Sequence, residues 1–228
     1  MFRKFLKIPV NIRKILTNYK ILSFDFGQWG SIKTRMCFDA EGRPIPWYTY
    51  PAIEYLKQLD MRDKAVFEFG SGNSSLFWSD RAKEVLSVEI RTLWYEMVDR
   101  DDRRNLEILF APYKDEYVNS IVKVNREFDV IIVDGSFRFD CAKVAVNYLK
   151  DGGMIILDNS DWHPKTSEFL RSRNLIEVDF SGFGPINGYT WTTSLFLSRD
   201  FAFKPLCGVQ PVHSIGSLKQ NCDVERDN

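Results

Sequence analysis

Between residues 65 and 172 the sequence switches character repeatedly and in the same way, and that rhythm leaves few folds open. "AVFEF" (65–69), "VLSVE" (85–89), "LEILF" (106–110), "DVIIVD" (129–134) and "MIILD" (154–158) are short, apolar, β-rich runs. The segments between and after them, 74–82, 91–100, 114–124, 137–149 and 164–172, have helical patterning. Parallel strands need a crossover long enough for a helix, so this alternation predicts a parallel sheet with helices on both faces. A further helix is predicted from Pro51 to about Leu59. The rhythm then breaks. "LIEVDF" (175–180) and "TWTTSLFL" (190–197) are joined only by the loop "SGFGPING". That linker is too short for a crossover, so the last pair is expected to be antiparallel. The expectation is an α/β fold with a seven-stranded, mostly parallel sheet and an antiparallel last strand.

The 228 residues suit one α/β domain with extensions, and 44% hydrophobic content supplies its core. The expected division is a basic arm and irregular lead-in at 1–47, a catalytic-type domain at 48–200 and a surface tail at 201–228. Formal net charge is zero, so there is no global bias toward nucleic acid. Cys37, Cys141, Cys207 and Cys222 form no CxxC pair, which reads as a reduced, cytoplasmic protein without a zinc site. No apolar run approaches the length of a membrane span. Residues 1–20 carry six cations and no acid among apolar side chains, with Pro9 interrupting them. Two readings stand: a helical arm packed on the domain, or a peripheral anchor on anionic lipid.

In "VFEFGSGNSSLFW" (66–78) the first strand of the series runs into a glycine turn and then a helix. A GxG after a strand is often only a tight turn. Here the turn lies where parallel sheets bind ligands, and the second strand ends in Glu89, seventeen positions after Gly72. A carboxylate there can accept ribose hydroxyls. Glu68, two residues before Gly70, would repel a pyrophosphate and attract an ammonium group. The third glycine of the dinucleotide pattern is replaced by Ser75, and Asn73 and Ser74 add hydrogen-bonding groups. An adenosine ligand with a zwitterionic amino-acid tail fits better than NAD, and S-adenosylmethionine (SAM) has that structure.

"FEFGSGNSS", "SVE" and "FDVIIVDGS…LKDGGMIILDNSD" resemble motifs of the class I SAM-dependent methyltransferases, over roughly 48–198. The resemblance implies a Rossmann-like seven-stranded sheet with its last strand antiparallel. It implies Glu68, Gly70, Ser71 and Gly72 around the methionyl part of SAM, Glu89 on the ribose, and Phe110 and Ala111 near the adenine. "PIPWYTYP" looks like the approach to SAM in related bacterial enzymes. Tyr48 and Thr49 then either close over the cofactor or only cap a helix.

Asp134 ends the fourth strand, and Asp158 and Asn159 end the fifth. Three oxygen-bearing side chains on one sheet edge can hold Mg²⁺, which would acidify and aim an acceptor hydroxyl. The pattern resembles catechol-, caffeoyl- and sugar-type O-methyltransferases, with "VDGSFR" standing where the catechol type has "DAD". The alternatives are a strand-end aspartate and an ordinary turn. Candidate bases are Asp134, His163 and Asp161, although a loop histidine is more often merely exposed. Arg138 either holds an anionic acceptor or is a solvated helix-start residue. Trp162, Trp191 and the loop 181–188 are candidates for the acceptor wall, with Trp191 equally placed as core. The expected function is O-methylation of a small-molecule or glycan hydroxyl, with no nucleic acid as partner. The rivals are a non-catalytic SAM-fold binding protein and an NAD-dependent oxidoreductase, the latter disfavoured by Glu68 and the missing glycine.

Overall fold

The computed structural model describes residues 8–220. Expectations that rest on residues 1–7 and on Cys222 lie outside the described residues. Seven strands form one sheet: β1 (Ala65–Phe69), β2 (Glu84–Glu89), β3 (Leu106–Phe110), β4 (Phe128–Val133), β5 (Leu149–Asp158), β6 (Ile176–Gly182) and β7 (Trp191–Leu197). Their order is β3-β2-β1-β4-β5-β7-β6. The pairs among β1 to β5 are parallel, and β7 runs antiparallel to both β5 and β6. The order reverses between β1 and β4, so a crevice opens at their carboxyl ends.

The central strands are buried on both sides because their side chains alternate between two cores. Val66, Val130, Ile132 and Ile156 enter one, with Trp78 and Leu56. Phe67, Ile131, Val133 and Ile155 enter the other, with Tyr117 and Leu170. The first core is covered by α3 (Tyr50–Lys57) and α4 (Asn73–Ser79). The second is covered by α6 (Lys114–Val118), α7 (Ser120–Val124), α8 (Arg138–Ala145) and α9 (Pro164–Arg171). Between β2 and β3 lies α5 (Thr92–Asp99).

Three local expectations change. The helix expected over 114–124 is two short ones, because Asn119 leaves helical geometry at φ −90°, ψ 8°. The helix expected over 137–149 stops at Ala145, and β5 starts at Leu149 rather than at 154. Leu149, expected at the end of the helix, instead pairs with Phe128, and a bulge follows before Val130 pairs with Met154.

Nor is the lead-in irregular throughout. It contains α1 (Val10–Lys20), a π-helical turn (Ile21–Asp25) and α2 (Gln28–Thr34). α1 buries none of its residues among those described, so its packed-arm reading fails. The segment from Gly27 onward is tied down firmly. Ser31 Oγ donates to the Phe38 carbonyl (2.9 Å) and accepts from its N–H (3.0 Å). Gln28 Nε2 donates to the carbonyl of Gly184 (2.9 Å), across 156 residues of sequence. Gly27, at φ +81°, is the close approach: a Cβ there would lie 2.5 Å from the Asp39 backbone. In the tail, the Leu206 N–H donates to the Gln58 carbonyl (2.7 Å), which straps it over the end of α3.

Candidate active site

A cavity of about 400 Å³ opens at the carboxyl ends of β1, β2, β4 and β5. Its floor is the turn after β1. The chain must reverse sharply there, and Gly70 does so at φ +106°. Glu68, Gly70, Ser71, Gly72, Asn73 and Ser74 all line the cavity, and Glu89 faces them from the end of β2. The local sequence therefore brings together seven of the eleven residues expected around a cofactor.

Glu68 is 1% exposed. Its Oε2 accepts from Ser75 Oγ (2.5 Å) and Ser87 Oγ (2.9 Å). Its Oε1 has no hydrogen-bond partner among the described residues. Burial pushes the carboxyl up to about 7, against the pull of the neighbouring serine hydroxyls. A half-satisfied buried carboxylate is expensive, and it points to a missing donor.

Glu89 plays a different part. Its Oε1 accepts from the N–H groups of Ile90 (2.8 Å) and Arg91 (2.7 Å). Its Oε2 accepts from the Ser71 N–H (2.9 Å) and Ser71 Oγ (3.2 Å). The carboxylate thus locks the glycine turn to the end of β2. The long bond from Ser71 Oγ is the one a ligand hydroxyl could replace, since the side chain can rotate away.

The other four expected cofactor residues sit elsewhere. Tyr48 is fully buried in the core, and neither it nor Thr49 lines the cavity. The Thr49 N–H donates to Thr193 Oγ1 (3.0 Å) and its Oγ1 to the Phe180 carbonyl (2.8 Å), fastening the start of α3 to β6 and β7. Phe110 and Ala111 are likewise off the cavity wall; Phe110 packs on Tyr95 at 5.1 Å between centroids. The aromatic wall beside the turn is Trp94 of α5, whose ring would lie 3.5 Å from a Cβ on Gly72. Sequence spacing held no sign of it, because its approach to Gly72 depends on how α5 packs.

The expected cation site is filled by Arg138. Its Nη2 donates to Asp134 Oδ1 (3.0 Å) and to the Asp134 carbonyl (2.8 Å). Its Nη1 donates to Asn159 Oδ1 (2.8 Å) and to the Asp158 carbonyl. Its Nε donates to the Gly135 carbonyl (3.1 Å). All five guanidinium hydrogens are used, so Arg138 is neither a solvated surface residue nor free for an anionic acceptor. Asp158 Oδ1 turns away toward Trp191 Nε1 (3.0 Å) and Thr193 Oγ1 (2.5 Å). Burial, followed by the Asp134 charge, drives its carboxyl well above the usual carboxylate range. An inward-bonded Asp158 and an asparagine already bonded to arginine do not make a Mg²⁺ ligand set. Among the described residues no three His, Cys, Asp or Glu side chains gather as a metal group.

Of the candidate bases, only Asp134 lines the cavity. Burial raises its carboxyl to about 6, with Arg138 pulling it down and Glu89 pushing it up. His163 stands off the wall. Its carbonyl accepts the first bonds of α9, and burial lowers its imidazole below the ordinary value. Asp161 is exposed and accepts from the Thr192 N–H (3.1 Å).

The mouth is built from parts far apart in sequence. Trp162, Ile186 and Asn187 line it as the acceptor-wall expectation had it, joined by Tyr189. Trp191 is instead core, 2% exposed. The lead-in supplies Arg35, Met36, Cys37 and Trp47. Asn73 Nδ2 donates to the Cys37 carbonyl (2.6 Å), so the lead-in is bonded directly to the first residue of α4.

No model of a known protein family and no curated protein matches the chain. Solved structures do match. One is precorrin-6y C5,15-methyltransferase from Geobacter metallireducens, at TM-score 0.52 and 14% identity, covering 65% of this chain and 87% of that one. An rRNA methylase from Streptococcus thermophilus matches at TM-score 0.49 and 14% identity, over 65% of this chain and 97% of its own. A methyltransferase-like protein from Silicibacter pomeroyi matches at TM-score 0.49 and 20% identity, over 68% and 89%. Strand order, the antiparallel seventh strand and the first of these likenesses agree: the chain has the Rossmann-like fold of the class I SAM-dependent methyltransferases.

Proposed function

We propose that this protein is a SAM-dependent methyltransferase that acts on a hydroxyl of a small-molecule or glycan acceptor, without a divalent cation. The observation that carries the reading is Glu68: a carboxylate at the floor of the cavity, buried, with one oxygen unpartnered among the described residues. An α-ammonium group satisfies it, whereas a pyrophosphate does not. With SAM bound, the glycine turn would hold the methionyl tail, Ser71 and Glu89 would meet the ribose hydroxyls, and Trp94 would offer an aromatic face to the base; all of these residues line the cavity.

When bound, SAM would supply a methyl group on a positively charged sulfur, which keeps the electron pair of the broken carbon–sulfur bond and leaves as a neutral thioether. The chain's own residues then have three tasks. Glu68 and the turn fix the ligand's tail. Trp47, Trp162 and Tyr189 at the mouth stack on a sugar or aromatic acceptor and narrow the access of water. Asp134, with its carboxyl near 6, takes the proton that the acceptor hydroxyl loses as its oxygen forms the new bond to carbon. Arg138 stands beside Asp134 as a fixed positive charge and orients that carboxylate.

The test is calorimetry with SAM, S-adenosylhomocysteine and NAD, followed by mass spectrometry of reactions with SAM and mixed glycan, phenolic and RNA acceptors in EDTA. Binding of the first two ligands with a mass gain of one methyl on a hydroxyl compound supports the reading. NAD binding, or methylation only of RNA, defeats it.

A further inference from the structure

The site leaves α1 and the segment after it unexplained. Ile12, Ile15, Leu16 and Tyr19 recur at three- and four-residue spacing along α1, and all four are exposed, Ile15 at 65%. Arg13, Lys14, Thr17 and Asn18 occupy the other side. Ile8, Phe24, Trp29 and Ile32 are also exposed, the last two one turn apart on α2. No described residue covers this surface. An 11-residue helix without a packing partner is marginal in water.

Charge tells what kind of surface would cover it. Through residue 35 the sequence holds eight of its 31 basic side chains and one of its 31 acids. That acid, Asp25, is paired with Lys20 at 2.8 Å. The remainder of the chain therefore carries an excess of acid. Two copies of this segment face to face would bring like charges together, which argues against a self-interface. Aliphatic side chains on one face, lysine and arginine on the other and exposed Tyr and Trp nearby match a helix that lies in a lipid headgroup layer.

We infer that residues 8–35 form a docking surface for an anionic lipid bilayer, with α1 lying in the plane of the interface. Ile12, Ile15, Leu16 and Tyr19 enter the acyl boundary, and Arg13 and Lys14 reach the headgroups. Arg35, which ends the segment, and Met36 just after it also line the mouth of the cavity, so docking sets that mouth beside the membrane.

The experiment is co-sedimentation of the full chain with vesicles of phosphatidylcholine alone and of phosphatidylcholine with phosphatidylglycerol, over a salt series. Expected is binding to the anionic vesicles only, weakening with salt. Ile15→Ser with Leu16→Ser should lower partitioning by about 10-fold or more, from the lost apolar burial. Replacing Arg13 and Lys14 by glutamine should lower it by about 5-fold for each cation and flatten the salt dependence. Thermal unfolding of the variants should match the parent, because these side chains hold no part of the core. Equal partitioning into both vesicle types, or variants that bind like the parent, would overturn the proposal. So would a lipid-free dimer that the Ile15→Ser, Leu16→Ser variant dissolves, because the face would then be a self-interface.

Discussion

The backbones of Gly70 and Gly135 touch across the floor of the cavity: a methyl group on Gly70 would lie 3.1 Å from the Gly135 backbone, and one on Gly135 would lie 3.0 Å from that of Gly70. The turn after β1 and the turn after β4 are thus one packed unit. Ligand-facing groups on the two strands share their position.

Gly135→Ala tests that unit. The new Cβ would also fall 2.0 Å from the buried Tyr117 hydroxyl, so something must move. Overpacking of this kind costs about 1–3 kcal/mol. A urea titration should show that loss, and calorimetry should show weaker SAM binding as the turn at Gly70 shifts. A variant with parental midpoint and affinity would mean that the floor yields freely.

Arg138 makes a second prediction. Its guanidinium satisfies oxygens of Asp134 and Asn159 and three carbonyls around a pair of aspartates. Arg138→Ala leaves those groups facing each other, and breaking a buried pair in this way costs about 3–5 kcal/mol. With the arginine gone, the same oxygens become accessible to a cation. Titration with Mn²⁺ should detect no site in the parent and a weak one in the variant. A tight site in the parent would reverse the assignment and restore the cation reading of Asp134, Asp158 and Asn159.

Trp94 carries the third. Its ring borders the turn at Gly72 but takes little part in the core. Trp94→Ala should weaken SAM and S-adenosylhomocysteine roughly 10-fold, the scale of a lost base–aromatic contact, while the unfolding midpoint barely moves. If the nucleoside instead lies toward Phe110, Phe110→Ala will produce the loss and Trp94→Ala will not.

How much of the molecule was legible depends on how far apart the interacting residues are. Strands with apolar β-rich runs, and the turn at Gly70 with Glu68 and Glu89 beside it, declare themselves within a few residues, so the sheet and the floor were readable. The role of Arg138 was not. It rests on carbonyls and side chains from two strand ends more than twenty residues apart, and the sequence shows only an arginine at a helix start. The mouth was half readable. Trp162 and the β6–β7 loop could be guessed from their place after β5 and before β7. Trp47 lies in "PIPWYTYP", the stretch read as the approach to SAM, but Arg35, Met36 and Cys37 could not be guessed, because Gln28 and Asn73 bind that segment into place through contacts with no sequence period. Of the two readings open for Tyr48 and Thr49, the structure favours the helix start: Thr49 immediately precedes α3, and neither residue lines the cavity, because position near the site is not orientation toward it.

Glu68 gives the sharpest prediction, because it links pH, stability and binding with a fixed sign. Its folded value of about 7 lies above the ordinary carboxylate value of 4.5, with burial as the main cause. The protonated form is therefore the one the free fold prefers. The stability associated with this group is complete below about 4.5 and is lost as pH rises through about 7. Between about pH 6 and about pH 8 the ligand-free protein should lose stability, and Glu68→Gln, which keeps the shape and removes the charge, should lose less. At the upper pH the variant should exceed the parent by about 1–3 kcal/mol. Binding should run the other way. An ammonium group needs the ionised carboxylate, so SAM affinity in the parent should rise roughly 10-fold over the same interval, and the variant should show a flat profile at the weak end. Calorimetry and thermal unfolding at matched pH values measure both. Parallel binding profiles for parent and variant would show that Glu68 does not receive the ammonium group, and the buried carboxylate would then need another explanation.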